Sequence, residues 1–187
     1  LWHPGFLTLS SHEPFEVPYN RLKDKRQNSF AYTDHCLGEF IDRLKQLPVW
    51  NNLLVICLPD HGSSPTFNVT SPTFYHIPML WLGGAIKAPA VIHTLMNQSD
   101  MPATLLGQLG LPHQDFKYSR NIFSTSYTYP FAYSTFSDGF MFKDSTGVTI
   151  FDNAARKPVY NEPAPDGARE EKGMAILQTS YDQLGEN

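Results

Sequence analysis

The sequence predicts an α/β fold, with a mostly parallel sheet flanked by helices and a small antiparallel sheet and terminal helix at the carboxy end. Three observations support this prediction. Residues 53–58 are six consecutive apolar residues, too short and too aperiodic for a helix and typical of a strand buried on both faces. A helical pattern precedes this run, and short strand patterns joined by turn sequences follow it. At 187 residues with 41% hydrophobic and 17% charged residues, the composition is that of an ordinary globular chain.

The first half of the sequence predicts most of a βαβ unit. Residues 5–10 form a short strand candidate, and a helix then buries one face formed by Phe30, Leu37, Phe40, Ile41, Leu44 and Leu47. Asn28 or Ser29 could cap the start of this helix, and Pro48 ends it. A right-handed crossover would then place strand 5–10 parallel to strand 53–58.

The second half predicts a change of architecture. Residues 75–82 read as a strand, and Ser99 is a good cap for a helix over residues 100–109. Segments 131–136, 140–143 and 148–151 are strands with hairpin signals between them. A Pro-rich link over residues 161–167 leads to a last helix at 168–184. We therefore expect one region at residues 1–125 and a smaller antiparallel-sheet and helix subdomain at residues 126–187.

Composition excludes some classes of function. The net charge is −4 without a basic block, so no nucleic-acid partner is expected. No apolar run approaches the roughly 20 residues that cross a bilayer. Cys36 lies in the predicted helix and Cys57 in the predicted strand, so both are expected to be small core residues rather than a disulfide or redox pair.

Polar side chains follow the two predicted strands of the first half. Pro59 should end the pairing of strand 53–58, and Asp60, His61 and Gly62 come directly after it. Ligands of open α/β sheets bind beyond the carboxyl ends of strands. A carboxylate beside an imidazole there forms half of a divalent-metal site, although the same tripeptide also fits an ordinary turn. Gly62 would either let the backbone turn or let another group approach closely. His12 follows the other strand.

Several segments together resemble one protein family. Residues 7–15, Leu-Thr-Leu-Ser-Ser-His-Glu-Pro-Phe, resemble the histidine loop of lipoteichoic-acid synthases and phosphoglycerol transferases. Residues 53–62 resemble the second metal-binding motif of the sulfatase and alkaline-phosphatase superfamily, to which those enzymes belong. Residues 32–47, 76–81 and 99–106 match in the same order, so the resemblance extends over about residues 5–125. The remaining hairpins and helix resemble the family's small carboxy-terminal subdomain.

The resemblance implies a divided catalytic domain. The family's amino-terminal half carries the first acidic metal ligand and the nucleophile, which is Thr in the transferases and a modified Cys or Ser in true sulfatases. No match to that half is present, so the chain resembles the carboxy-terminal half and is expected to be inactive alone. Asp60 and His61 would bind one divalent ion, Mn, Mg, Ca or Zn. His12 would contact the substrate's ester or headgroup, unless it is simply a loop histidine. His76 could serve a second ion or be structural.

The implied function is metal-dependent cleavage or transfer of sulfate or phosphate esters, of the phosphoglycerol type. The substrate would be a glycan or lipid headgroup ester, and the missing half of the same enzyme would be the other partner. The resemblance implies an extracytoplasmic enzyme that reaches the bacterial cell membrane only through an anchor in the parent protein. The alternative is a non-catalytic α/β module that binds an anionic glycan or lipid headgroup. If the strands are parallel, His12 and Asp60 should lie roughly 5–12 Å apart at one sheet edge.

Overall fold

A computed structural model describes residues 4–62 and 68–185. Within these ranges lie three α-helices, α1 (Lys25–Lys45), α2 (Met101–Gln108) and α3 (Gly167–Gly185), and six strands. The strands are β1 (Val55–Cys57), β2 (Leu80–Leu82), β3 (Ala132–Phe136), β4 (Gly139–Asp144), β5 (Gly147–Asp152) and β6 (Lys157–Glu162). Short 3-10 helices occupy Pro48–Asn52, Pro72–Tyr75 and Gln98–Asp100. No described helix is both long and apolar enough to cross a membrane.

The chain divides into two compact units. The first comprises Leu1–Cys57 with Leu80–Pro89, and the second comprises Leu58–Met79 with Ala90–Asn187. The chain therefore passes between the units three times. The boundary expected from the sequence, between residues 125 and 126, separates segments of different architecture rather than compact units. It stays a prediction.

The predicted parallel sheet is wrong for the described residues. β1 pairs antiparallel with β2, with Ile56 opposite Trp81, and the four-stranded sheet is antiparallel throughout. The predicted strand at residues 5–10 does not form among the described residues, where Phe6, Leu7 and Leu9 are 91%, 75% and 74% exposed. β1 is half-buried rather than enclosed on both faces. An apolar run indicates burial of a strand, but it carries no information on the direction of its partner.

Helix α1 begins earlier than its apolar pattern indicated. Asp24 is the N-cap, with its carboxylate accepting from the Gln27 N–H at 2.8 Å. Asn28 is buried inside the first turn, and its side chain instead binds the preceding loop through the Leu22 N–H and carbonyl at 2.8 and 2.7 Å. Cys36 is exposed on α1 rather than in the core, so that expectation is wrong. Cys57 is half-buried, and both thiols are free.

The four-stranded sheet, in the order β3-β4-β5-β6, confirms the predicted antiparallel sheet near the carboxy end. Its sequence signals were the turns at residues 137–138 and 145–146, which join β3 to β4 and β4 to β5. β6 was missed because Pro158 interrupts it. A proline removes a ladder donor, but β6 is an edge strand, where this loss is tolerated.

Both faces of this sheet are covered. On one face Phe140, Phe142 and Phe151 pack with side chains that include Ile176 and Leu177 of α3. On the other, Met141, Val148 and Ile150 pack with side chains that include Tyr75. The Arg169 side chain, 2% exposed, joins α3 to the β5 region by donating to the Thr149 hydroxyl at 3.0 Å and to the Thr146 carbonyl at 3.1 Å. This packing makes α3, the sheet and the Tyr75 segment one framework.

Candidate functional site

Asp60 and His61 follow β1 at the start of the second unit, and both side chains are exposed. The His61 N–H donates to Asp60 Oδ1 at 3.0 Å, and His61 Nδ1 lies 2.7 Å from the carbonyl oxygen of Gly62. A carbonyl can only accept, so Nδ1 carries the ring proton in this contact. The neutral ring then presents Nε2 as a lone-pair donor, 3.9 Å from Asp60 Oδ1.

Gly62 is needed for a close approach rather than for a special backbone angle. A Cβ at this position would lie 1.4 Å from the carbonyl oxygen of Phe74. Phe74 is buried at 8% exposure within the short helix Pro72–Tyr75. The backbone of the Asp60–Gly62 turn therefore packs directly on a buried anchor, and only a residue without a side chain fits there.

Gln98 holds the other side of this turn. Its Nε2 donates to the Pro59 carbonyl at 2.8 Å, immediately before Asp60. Gln98 begins a short helix in which the carboxylate of Asp100 accepts from the Asn97 N–H at 2.8 Å. Gln98 is therefore positioned by a capped turn, and it in turn fixes the backbone that carries the candidate metal donors.

A partly buried ion pair stabilises that capped turn. Asp100 is fully buried and accepts from Arg120 Nε at 2.9 Å and Nη2 at 2.6 Å, and from the Arg120 N–H at 2.9 Å. The guanidinium also donates to the Phe131 carbonyl and lies 3.8 Å from the centre of its ring. Sequence reasoning gave Asp100 only a helix-start role and missed Gln98 and Arg120, because pairing across 20 to 40 residues leaves no local signal.

The donor set fits a divalent ion in part. A carboxylate oxygen and an imidazole nitrogen suit ions from Mn²⁺ to Zn²⁺, which bind such atoms at about 2.0–2.2 Å. The Gly62 carbonyl supplies the second contact that orients a ligating histidine. Within residues 4–62 and 68–185, no third His, Cys, Asp or Glu joins Asp60 and His61 in a metal-binding group. His76 is exposed, and its backbone N–H donates a hydrogen bond to the Thr73 carbonyl.

His12 lies in an ordered turn of the first unit. Its Nδ1 is 3.0 Å from the Glu13 carbonyl, so by the same reasoning Nδ1 carries a ring proton and the neutral ring offers the Nε2 lone pair. The turn is fixed to α1 by a 2.8 Å hydrogen bond between the Ser10 and Thr33 hydroxyls. His12 thus has a defined orientation within its unit. Its proximity to Asp60, which lies in the other unit, stays a prediction.

A family model described as "Sulfatase" matches residues 6–111, more than half of the chain. The chain belongs to the sulfatase family. The matched residues include His12, Asp60, His61 and Gln98, and they end three residues after α2.

Two individual proteins are similar to the chain. The chain is 32% identical over 118 residues to a phosphopentomutase from Helicobacter pylori (strain HPAG1), a match that covers 62% of the chain and 27% of the relative. A solved structure of a protein in the alkaline phosphatase superfamily from Vibrio parahaemolyticus has a TM-score of 0.70 at 21% identity, over 95% of the chain and 48% of that protein. The chain therefore has the α/β fold of this superfamily. It spans about a quarter of the first relative and about half of the second.

Proposed function

We propose that the protein takes part in metal-dependent cleavage or transfer of phosphate or sulfate esters. The observation that carries the proposal is the Asp60–His61 pair, in which the Gly62 carbonyl lies on Nδ1 and the neutral ring would offer the Nε2 lone pair beside the Asp60 carboxylate. Membership of the sulfatase family and the phosphopentomutase relative support ester chemistry at phosphorus or sulfur.

In the proposed reaction, a bound divalent ion would lower the pKa of a hydroxyl nucleophile and neutralise an ester oxygen. Asp60 would supply an anionic oxygen to hold the ion, and His61 a neutral nitrogen with a fixed tautomer. His12 would contact the ester or headgroup through Nε2, accepting from a substrate hydroxyl when the ring is neutral and donating to an ester oxygen when the ring is protonated. Transfer of such groups passes through a loose transition state, so positioning and charge stabilisation are the main contributions that these side chains can make.

The finer assignment follows the histidine loop. Residues 7–15 resemble that loop in phosphoglycerol transferases, and we therefore propose a phosphoglycerol-type ester of a glycan or lipid headgroup as substrate. The nucleophile and the first acidic ligand would come from another part of the same enzyme. Its location would be extracytoplasmic, with a membrane anchor outside these residues.

The test uses the full-length enzyme, purified with its metal, and compares Asp60→Ala, His61→Ala and His12→Ala with His93→Ala. His93 is exposed and plays no part in the proposed site, which makes it a matched control. Asp60→Ala and His61→Ala should lose both metal and turnover of a glycerol phosphodiester. His12→Ala should lower turnover by about 10²–10³-fold, the usual cost of losing one hydrogen bond to a reacting ester, with metal content unchanged.

Two results would overturn this proposal. Retention of metal and turnover by Asp60→Ala would remove the pair from the reaction. A full-length enzyme that binds anionic glycan or lipid headgroups but turns over neither phosphate nor sulfate esters would favour the non-catalytic binding module.

A further inference from the structure

A groove of about 470 Å³ lies in the second unit, between the short helix that begins at Pro72 and the edge strand β6. Its size falls in the range of small-molecule sites, about 300–1,000 Å³. One wall carries Asn68, Thr70, Ser71 and Thr73, and the other carries Tyr160 and Glu162. The candidate catalytic residues do not line it.

The groove lies close to the Asp60–Gly62 turn. Thr73 lines the groove, and the next residue, Phe74, provides the carbonyl oxygen against which Gly62 packs. Gly62 is two residues from Asp60. A ligand in the groove would therefore occupy the same part of the second unit as the candidate metal donors.

The hydrogen-bonding groups of the groove select its ligand. The Tyr160 hydroxyl donates to Glu162 Oε2 at 2.7 Å, and the Thr70 hydroxyl donates to Asn68 Oδ1 at 2.7 Å. The Ser71 and Thr73 hydroxyls share one hydrogen bond at 2.8 Å. The Tyr160 and Thr70 protons are engaged in this way, as is one proton of the Ser71 and Thr73 pair, so these hydroxyls offer lone pairs. With the Glu162 carboxylate, acceptors are the majority of these groups, which favours a ligand rich in donors.

Charge excludes an anion from this groove. None of its described lining residues is Lys, Arg or His, and the exposed Glu162 carboxylate would repel a phosphate or sulfate. The Tyr160 ring adds a half-buried aromatic surface of the type on which sugar rings pack. The walls are held in place, because the Tyr75 hydroxyl donates to the Val69 carbonyl at 2.6 Å and the Tyr75 ring packs on the sheet core.

We propose that this groove binds the uncharged, hydroxyl-rich part of the ester substrate, a sugar or glycerol moiety. The identity of the ester rests on the proposed function, whereas binding of the uncharged moiety in the groove does not. The ester group would then be handled by the metal donors, while the groove contributes affinity for the part that does not react.

Binding is tested on the whole chain without metal, by measuring its amide chemical shifts during titration. The three probes are methyl β-D-glucopyranoside, glycerol and methyl β-D-glucuronide. The glucuronide has nearly the same shape but carries a carboxylate. Saturable shifts at Thr70, Thr73 and Tyr160 are expected with the glucoside, with glycerol, or with both, and the stronger of the two identifies the moiety. The glucuronide should bind more weakly.

Variants separate recognition from incidental contact. Glu162→Gln should weaken binding of the preferred uncharged probe by roughly three- to tenfold, because a charge-assisted hydrogen bond is lost, and should abolish discrimination against the glucuronide. Glu171→Gln, an exposed change on α3, should alter neither. Asp60→Ala should leave groove binding intact, so failure of the metal chemistry would not be mistaken for failure of the groove.

In the full-length enzyme, Glu162→Gln should raise KM for a glucosyl or glyceryl ester without changing kcat. KM for an aryl ester, which lacks the sugar or glycerol moiety, should stay unchanged. Absence of saturable shifts with both uncharged probes would overturn the proposal. So would glucuronide binding equal to that of the glucoside in the unmodified chain, or shifts that are insensitive to Glu162→Gln.

Discussion

Gly62 is the residue in the candidate site with the least freedom to change. An added methyl group would overlap the Phe74 carbonyl, and the Phe74 backbone cannot move away without disturbing its own buried ring. We expect Gly62→Ala to lower the free energy of unfolding by about 1–3 kcal/mol, as overpacking usually does, and to shift the amide resonances of Asp60 and His61. Chemical unfolding and amide spectra provide the measurement.

The control for this change is Gly38→Ala, since a Cβ at Gly38 meets nothing within 4 Å and the residue lies inside α1. It should stabilise the protein by about 0.5–1 kcal/mol through helix propensity. Equal behaviour of the two variants would show that the Gly62 contact is unimportant.

The carboxyl group of Asp144 makes the stability of the protein depend on pH. Burial raises the pKa of its carboxyl group, but hydrogen bonds from the Thr146 hydroxyl, Tyr129 and the Thr146 N–H, with the Lys172 charge, outweigh burial and lower the pKa to about 2. A depressed pKa contributes stability above the unfolded value of 3.8 and loses it as pH falls toward 2. The shift corresponds to about 2 kcal/mol.

Asp144→Asn should therefore lower stability by about 2 kcal/mol at neutral pH and flatten the loss between about pH 4 and pH 2. Urea unfolding over this pH range measures both effects. Asp115→Asn, at an exposed position, should leave the slope unchanged. An unaltered slope in Asp144→Asn would mean that other carboxylates account for the acid sensitivity.

At the scale of elements, the contact of α3 with the sheet depends on Gly173. A Cβ there would lie 2.0 Å from the ring of Phe140, which is fully buried and stacks on Phe151 with centroids 5.5 Å apart. The ring has no room to move, so Gly173→Ala should cost about 1–3 kcal/mol despite the better helix propensity of alanine. Gly167→Ala, at the open start of α3, should cost nothing comparable. Thermal unfolding followed by the helix signal at 222 nm provides the measurement. Equal melting temperatures for the two variants would contradict this expectation.

The elements show which features a sequence can predict. The β4–β5 hairpin and α3 were predictable because turn residues and apolar period are local signals. The antiparallel pairing of β1 with β2 was not, because residues 58–79 separate the strands and the direction of pairing is decided by how that segment returns. In β6, Pro158 hid a strand that the edge position permits.

At the scale of the whole molecule, the described site supplies two metal donors. Water would fill most of the coordination sphere of an ion bound by Asp60 and His61 alone, whereas retained sites normally have three or more protein ligands. We expect the chain by itself to bind Mn²⁺ or Zn²⁺ weakly in calorimetry and to show no turnover of a phosphodiester or aryl sulfate. Tight binding that Asp60→Ala abolishes, or ready turnover, would mean that further residues complete the site.

The candidate site was only partly predictable, because several of its contacts join distant parts of the chain. Asp60 and His61 are adjacent in sequence and follow a recognisable strand, so their chemistry can be read locally. Gln98 and Arg120 act on that turn through contacts made across long stretches of chain. The relation of His12 to Asp60 depends on how two units are arranged, which no local pattern encodes.

The alternation of the chain between units has a consequence for its synthesis. β1 leaves the ribosome before its partner β2, and 22 residues of the second unit are made between them. At about 5–20 residues per second, the apolar strand at Val55–Cys57 waits roughly one to five seconds for its hydrogen-bonding partner. During that interval its strand edge is unpaired, and slower synthesis of residues 58–79 would lengthen its exposure.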